Sequence, residues 1–187
     1  DGGWHELGAG LVTNLWGVQA LSFWGEELYV GGVFATTGSA PASDVARWNG
    51  AAWSPLESAG ALGVSGSVNA LLPWDGALVL GGSFLAAGAE MVSGIVRWDG
   101  AAWGRFIATA EGLAPALPAG TDSPVLSLAA SPQGLAVGGG FLRAGGLPVR
   151  NLAQYADGAW ECFVDRAGQE GLSGQVEAMT TWNGGLA

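Results

Sequence analysis

The chain has 187 residues, a formal net charge of −10, six arginines and no lysine. That balance excludes a nucleic-acid backbone as partner, which needs clustered Lys and Arg, and adsorption to an anionic membrane surface. Hydrophobic residues make up 49% of a chain of one-domain length, enough for a core, and no run reaches the ~18 apolar residues of a membrane span.

Residues 1–7 place Trp4 and Leu7 three apart. That spacing returns at the end of every copy of a repeat, so this stretch is expected to be the last strand of a preceding or closing unit. His5 is the only histidine, which leaves no multi-histidine metal site. A first junction follows and carries Trp16 two residues before the repeat opens.

The repeat runs without insertion or deletion through 18–53, 68–103 and 125–160, and opens again over 176–187. Each copy starts with an apolar strand headed by Val18, Val68, Val125 or Val176. Thirteen residues on comes a glycine pair, Gly31-Gly32, Gly81-Gly82 or Gly138-Gly139. Phe34, Phe84 and Phe141 follow, then Gly38, Gly88 and Gly145. An aromatic stands at Trp48, Trp98 and Tyr155, and a closing tryptophan at Trp53, Trp103 and Trp160.

β-branched, aromatic and large apolar residues mark strands at 18–23 and 28–34, and each copy reads as four short strands. The pairs Asn49-Gly50 and Asp99-Gly100 predict primed hairpin turns, whose positive φ those residues tolerate. In the third copy the pair slips one place, to Asp157-Gly158. Repeats of about 50 residues mean stacked supersecondary units. The step from each closing tryptophan to the next opening valine is the only part that varies in length, so the units are folded modules joined by surface loops.

The glycine pair, the Leu-Tyr-Val-Gly-Gly-Val-Phe of 28–34 and the Ala-Arg-Trp-Asn-Gly-Ala-Ala-Trp of 46–53 resemble the kelch-type repeat. The closest likeness is to its variant with a phenylalanine after the glycines, found in large bacterial secreted and surface proteins and in fungal cell-cortex proteins. The resemblance implies an all-β fold, a β-propeller of four-stranded antiparallel blades. The chain would be one partial propeller: three complete blade cores, the start of a further blade at 176–187, and residues 1–7 as the last strand of a preceding or closing blade. It is read as a piece of a longer repeat protein, an open arc prone to association. The junctions and the loops 35–44, 85–94 and 142–151 would share one rim.

Residues repeated in every copy are expected to be packing. This covers the column tryptophans, and Trp24, Trp74 and Trp182 as caps of the first turn. Arg47 and Arg97 are expected to bond neighbouring backbone carbonyls. Cys162, without a second cysteine, is expected to lean outward as a passive thiol. Candidate contact residues lie where the sequence does not repeat: Trp16, then Glu111 and Asp122 in the longest junction, 104–124. Arg143 and Arg150, beside Gly145-Gly146, are read either as part of a solvated loop or as a pair able to grip a carboxylated ligand. Asp122, Glu111 and Asp165 are junction carboxylates of the kind that serve as general acid and base, but their spacing does not demand it. The triple glycine 138–140 lacks the lysine and helix of a phosphate loop, and no cofactor or metal is called for.

Three functions remain open. The first is a non-catalytic extracellular or cell-surface module that contacts protein or glycan through the variable rim. The second is part of a carbohydrate-active or oxidase-like enzyme whose catalytic residues lie outside this chain. The third is a structural spacer in a repetitive adhesin.

Overall fold

In a computed structural model, placement is described for all residues except 1, 2, 4, 39, 107–118, 123, 165–167, 169, 183, 184 and 187. Among the described residues the chain is all β, with several antiparallel sheets and no helix.

Each full repeat folds into its own sheet, with four main strands paired in chain order. In the first sheet these are Leu11–Trp24, Glu27–Thr37, Val45–Trp48 and Trp53–Pro55. The second has Val64–Trp74, Ala77–Ala87, Ile95–Trp98 and Trp103–Gly104, and the third Val125–Ser131, Gly134–Gly139, Leu152–Ala156 and Ala159–Cys162. One short parallel pairing joins junction to loop, Val92 opposite Ala119. The first two opening strands begin earlier than the expected valines, at Leu11 and Val64, because the junction pairs along the second strand before the repeat proper starts.

The predicted turns divide. Asp157 and Gly158 both take positive φ, 50° and 79°, and join Ala156 directly to its partner Ala159. This is the primed two-residue turn. At the first two copies only the glycines, Gly50 and Gly100, are positive. There the Asn49 Oδ1 accepts the Ala51 and Ala52 amides, and Asp99 Oδ1 accepts those of Ala101 and Ala102. The side chain closes a longer turn, so the slip in the third copy changes the turn class.

The core lies between sheets. One cluster joins Tyr29, Val45 and Leu56 of the first repeat to Val68, Leu78, Leu80, Phe84 and Trp98 of the second. A second joins Val79 and Ile95 to Phe106, Val125, Leu135, Val137 and Trp160. Leu78 and Leu80 face one cluster and Val79 the other, as strand alternation requires of a sheet buried on both faces. A third cluster, Val30, Phe34, Ala42 and Ala46, lies on the outer face of the first sheet, under Leu11 and Trp53.

The glycine pair is the hinge of this packing. A Cβ on the first glycine would strike the opening valine of the next repeat: Gly31 against Val68, Gly81 against Val125, Gly138 against Val176. A Cβ on the second would strike the main chain just before the opening valine of its own sheet: the carbonyls of Gly17, Ser67 and Pro124 for Gly32, Gly82 and Gly139. One glycine lets the next sheet approach and the other lets its own strands pair.

A second column ties the sheets by backbone. Gly63, Gly120 and Gly171 each stand five residues before an opening valine, take positive φ, and press on the carbonyls of Ser43, Ser93 and Arg150 of the preceding repeat. The next residue donates to that same carbonyl: Val64 to Ser43 at 3.0 Å, Thr121 to Ser93 at 2.9 Å and Leu172 to Arg150 at 2.8 Å. Junctions therefore lie against the loops between second and third strands.

Directly after those carbonyls comes a positive-φ column, Asp44, Gly94 and Asn151. The Asp44 Oδ1 accepts the Phe34 amide at 3.0 Å. Burial pushes its carboxyl above the ordinary aspartate range, against the pull of the Phe34 and Gly66 amides. A carboxyl raised in this way holds its proton more tightly folded than unfolded. Its charge therefore costs stability as pH rises through the raised pKa, and costs nothing below the unfolded value. Asp44→Asn leaves a side-chain oxygen in place and removes the charge, and Asn151 takes the same positive φ at the cognate site. Thermal melts should show the variant about 1–2 °C more stable at pH 7, a figure discounted for solvent exposure, and level with the parent near pH 3.

Candidate functional site

The opening strands bring one position of each repeat together. In each full repeat the strand register slips just after the opening valine: between Val18 and Ala20, Val68 and Ala70, and Val125 and Ser127. The extra residue is Gln19, Asn69 or Leu126. A bulge leaves one residue out of the ladder and re-aims its side chain. All three line a single open hollow of about 330 Å³, together with Glu177, which holds the same position in the fourth repeat, and Gln175 from the junction before it. Four successive repeats thus send the same position to one place, on the side where the junctions run.

The lining is mostly amide. Asn69 Nδ2 donates to the Val125 carbonyl at 2.9 Å, which fixes the side chain and turns its Oδ1 to other partners. A Cβ on Gly140 would come within 2.9 Å of Gln175 Oε1. The third glycine of 138–140 is therefore the floor on which Gln175 lies. Gln19, Gln175 and Glu177 are exposed, and Asn69 and Leu126 are half-buried. The hollow offers donors and acceptors, one carboxylate and one apolar side chain.

A second recess of about 240 Å³ lies between the second and third sheets, lined by Gly82, Phe84, Leu85, Ser93, Asp122 and Pro124 among others. Here the candidate Asp122 is already engaged. Its Oδ1 accepts the amides of Leu142 and Arg143, both at 2.9 Å. Ser65, three residues before its own opening valine as Asp122 is, accepts the Leu85 and Ala86 amides in the same way. Asp122 belongs to a strand-capping column, a role that counting back from each opening valine would have revealed.

The other candidates separate. Arg143 Nη1 donates to the Gly146 carbonyl at 3.2 Å, across its own tight loop. Arg150 is exposed, and its carbonyl holds the Leu172 and Leu152 amides. Trp16 lies in the first opening strand by its backbone, and its side chain falls outside the described residues, as does Glu111 entirely. Asp122 and Arg143 are brought together, main chain to main chain and carboxylate to amide.

Several expectations are corrected by packing. Arg47 bonds a carboxylate across the sheet, with Nη1 3.1 Å from Glu27 Oε2, which also accepts the Tyr29 hydroxyl. Cys162 shares the face of Trp160, two residues away on one strand, and is half-buried against the same cluster. The outward lean expected for it does not hold. Trp24 and Trp74 reach across to the next sheet: Trp24 packs on the first inter-sheet cluster, and Trp74 lies 6.4 Å from the Tyr155 ring. Residues 5–7 form no strand, yet the Leu7 carbonyl accepts the Trp53 indole at 2.7 Å. Phe106 does the same for Trp160 at 3.4 Å, whereas Trp103 Nε1, in the same column, is buried without a hydrogen-bond partner among the described residues. Trp4 and Asp165 lie outside the described residues, as does the side chain of Trp182.

Among the described residues no three His, Cys, Asp or Glu side chains gather where they would hold a metal ion, and no helix is long and apolar enough to cross a membrane. No protein-family model matches the chain, and no curated protein matches it.

Proposed function

We propose that the chain is a non-catalytic β-propeller module, its sheets standing as blades around an axis, and that it binds a glycan where its opening strands converge. The observation that carries this reading is the convergence of Gln19, Asn69, Leu126 and Glu177, one from each of four repeats, on a single hollow. In a propeller the first strand of each blade lies nearest the axis, and its bulged residue would face the central opening.

The lining supports this ligand class. Amide side chains both donate and accept, which suits the hydroxyls of a sugar, and an apolar side chain beside them suits the C–H face of the ring. The net charge of −10 favours a neutral glycan over a polyanionic one. The extracellular or cell-surface setting comes with the resemblance of the repeat to those of secreted and surface proteins.

The test is a glycan array followed by titration calorimetry on the parent and on Gln19→Ala/Glu177→Ala. Both side chains are exposed, so the melting temperature should not move. Affinity for the bound glycan should fall at least about tenfold, or ~1.4 kcal/mol. A parent that binds no glycan, or a variant that binds as well as the parent, overturns the proposal.

A further inference from the structure

The opening valine is buried wherever a preceding sheet stands before it. Val68 and Val125 are 0% exposed and Val176 is 9%, while Val18, in the same column, is 43% exposed. Three residues on, Leu71 and Leu128 pack against the two inter-sheet clusters, while Leu21 is 63% exposed. The bulge between them keeps Val18 and Leu21 on one face, and Phe23, 67% exposed, extends the strip toward the turn. The N-terminal segment covers the outer tryptophans of this sheet through Leu7 and Gly8, and leaves this strip open.

We infer that the Val18–Leu21 strip is a docking surface for one more sheet of the same repeat, bearing a glycine pair that is not yet filled. The partner's chemistry is read from the three filled examples. Each opening valine seats on a glycine because a Cβ there would collide with it: at 2.5 Å for Gly81 against Val125 and 2.6 Å for Gly138 against Val176. No other residue type leaves that space. An unaltered second copy of the chain does not supply the seat, because Gly31, Gly81 and Gly138 are already occupied by Val68, Val125 and Val176. This inference stands on the repeated seat and is independent of what the hollow binds.

The test extends the chain. Residues 137–175 are appended after Ala187, which corresponds in register to Ala136, and further 125–175 units are then added one at a time. Leu21→Cys, with Cys162 changed to alanine in the chain and in every appended segment, reports on the strip by its rate of maleimide labelling. The rate should drop about tenfold, as for a group reached only by local opening, at the repeat number that brings a glycine pair onto the strip. Changing the first glycine of that last added pair to valine should restore fast labelling. Labelling as fast in every folded extension as in the unextended chain, or protection that survives the glycine change, overturns the inference. If no extension melts cooperatively, Val176→Asp in the unextended chain decides, because it vacates the Gly138 seat. Association in sedimentation that disappears on adding Val18→Asp upholds the inference, and a variant that stays monomeric, or associates regardless of Val18, overturns it.

Discussion

Gly82→Ala is expected to cost about 3–5 kcal/mol, enough to lower the melting temperature of a chain this size by roughly 10–15 °C. An alanine Cβ at this position would stand well inside contact distance of the Ser67 carbonyl and 3.0 Å from its carbon. The obstacle is the main chain of the adjacent strand, which no rotamer change removes. Relief requires parting the opening strand from the second strand beside Val68, where the ladder is already bulged, and Val68 is fully buried in the first inter-sheet cluster. One methyl group therefore disturbs both the pairing within a sheet and the contact between sheets. Gly174→Ala, with nothing within 4 Å of its Cβ, is the matched control and should stay within about 0.5 kcal/mol of the parent. Urea melts of the two variants measure the difference.

Phe106→Ala should cost about 3–5 kcal/mol as well, by a different route. Phe106 is 1% exposed and stands where the second sheet meets the third. Its ring lies 4.9 Å from Tyr155 edge-on, 6.2 Å from Trp160 and 6.3 Å from Trp74. Truncation empties the centre of an aromatic group drawn from two repeats, and the walls are large rings held by their own strands, which cannot collapse into the space. Phe106→Leu should recover most of the loss, leaving a deficit under about 1.5 kcal/mol. Chemical denaturation followed by tryptophan emission tests both, because Trp74 and Trp160 report directly on the cavity.

The parts of the fold that were legible in the sequence are those in which one residue type is sterically compulsory. The glycine pair recurs because each member faces an atom that excludes a Cβ, and the opening valine recurs because it fills the space the first glycine leaves. The column Gly63, Gly120 and Gly171 obeys the same logic. It is hard to see in the sequence because it lies in the junctions, whose lengths vary when counted from the closing tryptophan, and because Thr13 stands at that position before Val18. The site was harder to read. Gln19, Asn69 and Glu177 form a polar column beside Leu126, but period-two alternation alone does not aim them at a common point. The bulge does that for Gln19, Asn69 and Leu126, and a bulge is a property of pairing with a neighbour, invisible in the strand's own residues. In the sequence Asp122 stands as an isolated junction carboxylate, while Ser65 performs its capping task with a hydroxyl. The two residue types share only the ability to accept a hydrogen bond.

The seating of each valine on a glycine of the sheet before it also sets an order in time. During synthesis a sheet is complete, with its glycine bare, before the valine that covers it has been made. The interval from the last strand of a sheet to that valine is about 13–21 residues, or roughly 1–4 s at ordinary elongation rates. Each newborn sheet therefore waits with one face open, and the valine that reaches it first is normally the next one on the same chain. A pause inserted within that window would lengthen the exposure of the bare face and give neighbouring nascent chains time to fill it with the wrong strand.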